Sequence, residues 1–251
     1  MTQRYFIEIA YNGKRYHGWQ VQPNATSVQA VLNDCLTKIL RSEISVVGAG
    51  RTDAGVHAKQ LFAHFDVEKT IEDVVAFLNR VNSFLPNDIS VQSLRKVGGE
   101  AHCRFDAAAR TYEYWVTQHK NPFQQESAYF LHKKLDVKAM NEAAKKLFQF
   151  KDFSSFSKSD TQTKTNNCDI QKAMWEDKGE VLVFTIQSDR FLRNMVRAIV
   201  GTLIEVGLGK MSQSDFVKII KSKDRSQAGT SVPAHGLYLV KVTYPNTMWN
   251  E

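Results

Sequence analysis

The segment GAGRTDAGVHA at residues 48–58 carries the most information about this chain's architecture. It lies between a short predicted strand at residues 44–47 and a longer one at residues 61–67, so the sequence predicts a loop joining two strands. Its three glycines and three alanines let the backbone turn sharply and let a bulky ligand approach closely. One carboxylate, Asp53, stands near its centre, and Arg51 precedes it by two positions.

Two interpretations of this loop follow from its residue types. Arg51 could contact a phosphate, and a neighbouring cation would hold Asp53 ionised by stabilising the charged form. Alternatively, the segment is a tight turn in which Asp53 forms an Asx cap and Arg51 faces water. Spacing alone leaves both interpretations open.

The residues before and after this loop alternate between strand and helix patterns. Residues 5–11 alternate with period two, which predicts a strand with one more polar face. Apolar residues then repeat at three and four positions over 28–40, with Thr26 and Gln29 fitting a capping box. Thr70 is the predicted cap of a second helix. Strands and helices therefore interleave through the first hundred residues.

The second half repeats this alternation without repeating the sequence. Its predicted elements are strands at 111–117, 181–186 and 237–244, a helix capped by Asp136, and an amphipathic helix from residue 191 to about Gly207.

The alternation predicts an α/β (α+β) fold with two α/β lobes joined near residues 98–110. The N-terminal lobe, residues 1–103, carries the Asp53 loop. The C-terminal lobe, residues 104–251, carries the second amphipathic helix and most of the positive charge.

The net charge of the chain is evidence about its binding partner rather than about its fold. The 251 residues include 33 Lys and Arg against 26 Asp and Glu, a formal charge of +7. Residues 126–251 alone hold 19 basic and 14 acidic side chains. Such a surplus favours a polyanionic partner, although solvated helix faces also explain many of these charges.

Familiar cofactor motifs are absent from the sequence. Gly48 and Gly50 begin a G-x-G-x-x-G pattern, but Asp53 occupies its sixth position, and no Walker loop is present. The seven histidines sit singly, without metal-binding spacing. We therefore expect neither a metal nor a nucleotide cofactor.

Cysteine usage and hydropathy bear on the compartment. The three cysteines are odd in number and far apart, which argues against a disulfide framework and indicates a reducing compartment. No signal peptide and no apolar run of about 18 residues is recognisable. We expect a cytoplasmic protein that does not enter a membrane.

Residues 51–58, RTDAGVHA, resemble the signature of the TruA family of tRNA pseudouridine synthases, and further blocks match in the family's order. These blocks lie at residues 11–13, 16–20, 105–107, 110–114, 152–156, 191–197 and 236–239. The resemblance covers nearly the whole chain. One departure is the segment 149–151, Gln-Phe-Lys, where family members commonly place Gly and His.

The resemblance implies a pseudouridine synthase fold, with mixed, largely antiparallel sheets flanking a central basic cleft. It also implies site roles. Asp53 is the catalytic carboxylate, acting either as a nucleophile at C1′ or as a base at C2′. Arg197 pairs with Asp53, although a surface arginine is the alternative. Tyr112 stacks on the target base, although an ordinary strand aromatic is the alternative. Arg51 and Arg110 are candidate RNA contacts.

The reaction implied by the resemblance is isomerisation of uridine to pseudouridine at tRNA positions 38, 39 and 40, in the anticodon arm, without a cofactor. The implied partners are tRNA and a second copy of the chain in a homodimer. Two alternatives are an RNA-binding protein that remodels tRNA and a metal-dependent RNA-cleaving enzyme. The second is disfavoured because no carboxylate cluster stands ready for Mg²⁺.

Overall fold

The computed structural model describes residues 2–158 and 165–249, which form two compact units. Unit 1 comprises Met1–Ala108 together with Leu239–Glu251, and unit 2 comprises Ala109–Tyr238. Each unit combines strands with helices and the sheet is mixed, which confirms the predicted α/β class. The division differs from the predicted lobes because the last strand belongs mainly to unit 1, where it hydrogen-bonds to a central strand.

The strands of unit 1 are β1 (Gln3–Tyr11), β2 (Val47–Gly48), β3 (His57–Val67), β4 (Ile89–Val97) and most of β9 (Leu237–Thr243). They pair in the order β4-β1-β3-β9, with β2 also pairing β3. β1 runs antiparallel to both β3 and β4.

The strand predicted at residues 44–47 is wrong in all but its last residue, because β2 covers only Val47–Gly48. The backbone N–H groups of Ile44 and Val46 donate instead to the side chains of Thr37 and Asn33, at 3.0 and 2.9 Å. These bonds tie the segment to the preceding helix rather than to a sheet.

β1 is buried on both faces at residues 5–7, where alternation predicts one more polar face. Phe6 is fully buried. The rings of Tyr244 and Trp249 lie 5.6 and 6.0 Å from it, both edge-on. Aromatic residues that follow the last strand therefore cover the face predicted to be polar.

The first helix, α1 (Val28–Leu40), begins one residue later than its predicted cap indicates. Ser27 is the N-cap, and its hydroxyl accepts the N–H of Ala30 at 3.2 Å. The capping box predicted for Thr26 and Gln29 is therefore wrong. The Gln29 side chain reaches other backbone groups, donating to Val46 O at 2.8 Å.

The second helix, α2 (Val74–Phe84), begins after Asp73, whose carboxylate accepts a backbone N–H three residues on at 2.8 Å. Thr70 is therefore not its cap. The N–H of Ile71 donates to the Tyr5 hydroxyl at 2.9 Å, which holds this segment outside the helix.

Unit 2 contains β5 (Ala109–Thr117), β6 (Tyr129–Phe130), β7 (Ile170–Asp177) and β8 (Leu182–Ser188). β8 pairs antiparallel with both β5 and β7, and β6 runs parallel to β5. β8 is buried on both faces from residue 182 to residue 186, as its apolar run predicts.

Three helices pack together in unit 2: α3 (Val137–Ala144), α4 (Met195–Gly207) and α5 (Gln213–Ser222). Asp136 caps α3 as predicted. α4 begins four residues later than predicted because Asn194, in the left-handed region at φ +66°, interrupts the backbone before it. Among the described residues, every helix is too short or too polar to cross a bilayer.

Candidate active site

The Asp53 loop connects two antiparallel strands of unit 1. β2 pairs with β3 through Val47 opposite His64 and Gly48 opposite Ala63, so residues 49–56 form the connection. β3 begins at His57, four residues earlier than predicted. The end of the loop is therefore fixed by the sheet.

A second segment, residues 11–19, holds this loop from the other side. The hydroxyls of Tyr11 and Thr52 lie 2.8 Å apart, and the N–H of Trp19 donates to Thr52 O at 3.3 Å. The N–H of Gly13 donates to Nδ1 of His57 at 3.1 Å. Two blocks about 40 residues apart in the sequence thus form one hydrogen-bonded structure.

Glycines at positions 13 and 18 permit this close approach. A Cβ at Gly13 would overlap the carbonyl oxygen of Val56, and one at Gly18 would overlap that of Thr52. Gly18 also adopts φ +84°, which L side chains rarely adopt. These contacts were not predicted from the sequence, although both glycines lie in a recognised block.

Burial along the loop separates anchoring side chains from accessible ones. Thr52 and His57 are buried, whereas Asp53 is half-buried and Arg51 is exposed. Asp53 therefore sits between two anchored residues of the loop while part of its side chain reaches solvent. The loop that carries this carboxylate is therefore anchored on both sides, and Asp53 stays accessible to a ligand.

Arg197 lies in the first turn of α4, in unit 2, and is half-buried. Its Nε donates to Val232 O at 2.7 Å, and the N–H of Val232 donates to Arg197 O at 3.2 Å. The segment ending at Val232 therefore orients the arginine side chain. The expected location of Arg197 on the second amphipathic helix is confirmed, while its pairing with Asp53, which lies in unit 1, stays a prediction.

Tyr112 lies on β5 opposite Ile186 and is half-buried. Phe191 packs edge-on against its ring, with centroids 5.1 Å apart. Tyr114, two residues on, differs: it is fully buried, its hydroxyl donates to Pro233 O at 2.8 Å, and burial raises its pKa. Of these two tyrosines, Tyr112 is therefore the one with an accessible ring.

Arg110 lies two residues before Tyr112 on the same strand. Its Nη1 donates to Asp189 O at 2.8 Å, and the residue is half-buried. This bond orients the guanidinium group. Unit 2 thus brings Arg110 and Tyr112 together, while unit 1 holds Arg51 and Asp53.

Three potential metal ligands, His64, His102 and Cys103, meet in unit 1 with ligand atoms within 4.8 Å of one another. No sequence pattern indicated this cluster, because His64 is far from the other two residues along the chain. Cys103 donates from its N–H to His64 Nδ1 at 3.3 Å and from its thiol to Val47 O at 2.9 Å. These hydrogen bonds hold Cys103 against His64 and against β2.

The family model described as tRNA pseudouridine synthase matches residues 8–106 and 143–245, which is most of the chain. The chain belongs to the tRNA pseudouridine synthase family. In this tRNA pseudouridine synthase family member, the Asp53 loop and Arg197 lie within the two matched ranges. Arg110 and Tyr112 lie in the segment between the two ranges.

Relatives of this tRNA pseudouridine synthase family member match over almost their whole length. The protein named tRNA pseudouridine synthase A from Parabacteroides distasonis is 54% identical over 247 residues, covering 98% of each chain. Its namesake from Bacteroides fragilis is 54% identical over 99% of each chain, and that from Exiguobacterium sibiricum is 36% identical over 98% of each. Among solved structures, a partial Cas6-RT-Cas1–Cas2 complex aligns with 98% of this chain and 46% of that one at a TM-score of 0.23 and 7% identity, too low to support an argument.

Proposed function

We propose that this chain isomerises uridine to pseudouridine in tRNA, with Asp53 as the catalytic carboxylate. The observation that carries the proposal is the anchored loop: Thr52 and His57 are fixed on either side of Asp53, which stays half-buried. Family membership and the relatives' names give the substrate class.

The reaction conserves atoms and electrons. The N1–C1′ glycosidic bond breaks, the uracil turns, a C5–C1′ bond forms, and the proton lost from C5 balances the one gained at N1. Asp53 either attacks C1′ or removes a proton from C2′, and both roles require an ionised carboxylate held in place.

Arg197 is proposed to pair with Asp53. Support comes from its bond to Val232 O, which orients the side chain through Nε. A half-buried charge is stabilised by an opposite charge, and a carboxylate accepts two parallel N–H bonds from one guanidinium.

Tyr112 is proposed to stack on the target base, and Arg51 and Arg110 to contact phosphates. The edge-on packing of Phe191 holds the Tyr112 ring in one orientation while leaving it partly accessible. The target base must leave its stack, at a cost of roughly a few kcal/mol, and stacking on Tyr112 would offset part of that cost.

Further proposals rest on the family resemblance. These are modification at tRNA positions 38, 39 and 40, a central basic cleft, a homodimer and a cytoplasmic location. Mapping pseudouridine in tRNA incubated with the protein tests the positions, and the mass of the protein in solution tests the dimer.

The proposal is tested by single-turnover pseudouridine formation at saturating enzyme. We expect Asp53→Asn to lower the rate by at least about 1,000-fold, because the carboxylate is lost while tRNA binding persists. Arg197→Ala is expected to lower the rate by more than its loss of tRNA affinity explains.

Asp34→Asn is the matched control, since Asp34 is an exposed carboxylate on α1 paired with Lys38. It should leave the rate unchanged. A fully active Asp53→Asn variant would contradict the proposed function. Normal tRNA binding by a wild-type protein that forms no pseudouridine would instead favour a remodelling role.

A further inference from the structure

A pocket of about 240 Å³ opens in unit 1 beside the Asp53 loop. It shares part of that loop and adds the turn that precedes β5. The lining residues that matter here are Gly48, Gly50, Arg51, His102, Arg104 and Phe105. Drug-sized ligands occupy pockets of about 300–1,000 Å³, so this one suits a smaller group, such as a single base.

Phe105 is the prominent feature of this pocket because 75% of it is exposed. Its ring lies 4.2 Å from that of His102, and the Arg104 guanidinium carbon lies 5.9 Å from the ring centroid. An exposed aromatic ring accompanied by arginine is the combination with which proteins bind single-stranded nucleic acid.

The backbone holds this aromatic ring in a preformed position. The N–H groups of Phe105 and Asp106 donate to His102 O, at 3.1 and 3.0 Å. The Asp106 carboxylate accepts the N–H of His102 at 2.7 Å, which closes the turn. A base would therefore stack on a ring whose backbone is already ordered, which reduces the entropic cost of binding.

The positive charge at the pocket is complementary to the negative charge of a phosphate. Arg51 and Arg104 both line it and both are exposed. Cations in this setting neutralise phosphates and position the strand without reading its sequence.

We propose that this pocket binds a nucleotide adjoining the target uridine, with its base on Phe105 and its phosphate on Arg51 and Arg104. Two residues of extended chain span at most about 7 Å, so Arg51 and Asp53 are close enough to serve neighbouring nucleotides of one strand. This inference rests on the proposed function, since it takes the strand carrying the target as the ligand.

The first test measures the affinity of an anticodon stem-loop RNA by titration, independently of turnover. Phe105→Ala should weaken binding by about 5- to 150-fold, the range for loss of one stacked base. Phe105→Tyr should bind as wild type does, since it keeps the ring.

Phe84→Ala is the matched control. Phe84 is 50% exposed at the end of α2 and has Lys38 5.5 Å from its ring centroid, but it lies outside the pocket. Its substitution should leave affinity unchanged. An equal loss in both variants would overturn the proposal.

A second test identifies the nucleotide. RNAs with an abasic residue immediately 5′ or 3′ of the target are compared on wild-type protein and Phe105→Ala. One abasic position should weaken wild-type binding yet leave the variant unaffected, because base and ring form one contact. Additive losses at both positions would overturn the proposal.

Gly50 offers an independent steric probe. A Cβ at this position meets nothing within 4 Å, so Gly50→Leu projects into open space. We expect it to lower RNA affinity at unchanged thermal stability, and unchanged affinity would count against a ligand here.

The outcomes separate this inference from the proposed function. Wild-type protein that binds the RNA but forms no pseudouridine contradicts the function. Wild-type protein that forms pseudouridine while Phe105→Ala binds normally contradicts only the pocket assignment. A loss of affinity that follows a change in oligomeric state would make Phe105 a contact between copies and overturn the assignment.

Discussion

The candidate site requires a residue without a Cβ at position 18, which is Gly18. Its φ of +84° and its contact with the Thr52 carbonyl both exclude a Cβ. We expect Gly18→Ala to destabilise the protein by about 2–4 kcal/mol, combining left-handed strain with overpacking. Because the overlap pushes on the residue before Asp53, turnover should fall as well.

Gly179→Ala is the control for backbone strain alone. Gly179 has φ +81°, but a Cβ there meets nothing within 4 Å. Its substitution should lower the free energy of unfolding by only about 1–2 kcal/mol and leave turnover unchanged. Chemical denaturation and single-turnover rates measure both variants, and equal costs would refute the role given to the Thr52 contact.

His64 makes stability depend on pH. Burial, with the nearby positive charge of Arg4, lowers the pKa of His64 from 6.5 to about 4. Between these values the unfolded chain binds a proton that the folded chain does not. The free energy of unfolding should therefore fall as pH drops from about 6.5 to 4, by up to roughly 3 kcal/mol.

Urea denaturation across this pH range checks the expectation. His64→Gln removes the titrating group and should show a flatter dependence. A difference between wild type and variant that stays constant with pH would contradict the role of His64.

Residue patterns predicted some of the site residues and did not predict others. Asp53 and Arg51 stand out because a charged pair interrupts a run of small residues. The contact between His64 and Cys103 could not be predicted, since it joins residues 39 positions apart through a fold that no local pattern encodes. Phe105 was visible only as part of a motif, because exposure is a tertiary property.

Helix α1 illustrates how element boundaries depend on tertiary contacts. Thr26 and Ser27 are both good capping residues. Thr26 is exposed and its carbonyl accepts the N–H of His17 at 2.9 Å, whereas Ser27 is buried and caps. The choice between adjacent residues thus rests on a loop contact.

Paired substitutions test this boundary. Ser27→Ala should lower the free energy of unfolding by about 1 kcal/mol, through loss of the cap, with more if the buried site repacks poorly. Thr26→Ala should change it by less than about 0.5 kcal/mol. If denaturant titrations show the same loss of unfolding free energy for both variants, Thr26 would again be a candidate for the cap.

Long periodic elements were predicted well, and short or interrupted ones were not. The bounds of β1, β5, β8 and β9 lie close to those predicted from alternation or apolar runs. The start of α4 was misplaced because apolar residues continue the helical period through Asn194, where the backbone turns left-handed. A hydrophobic period indicates which residues are buried. Whether those residues are helical also depends on backbone angles such as φ at Asn194.

Charge is distributed unevenly over the whole molecule. Unit 2 holds 20 Lys and Arg against 14 Asp and Glu, so it carries most of the surplus of +7. Neutralising several phosphates releases counterions, so tRNA affinity should fall steeply with salt. Between 50 and 200 mM salt we expect a loss of at least about 10-fold, and a flat response in binding titrations would contradict the proposed RNA-binding surface.

The placement of β9 has a consequence for how the chain is made. Unit 1 contains the first 108 residues but also needs β9, which begins at Leu237, where the sequence of unit 2 ends. On the ribosome, the part of β3 that pairs with β9 would stay unpaired while about 130 further residues are synthesised, because pairing with distant sequence is delayed until both partners exist. Biosynthesis would therefore complete the second unit before the first, and a chain stopped before residue 239 would be prone to aggregate through that unpaired part of β3.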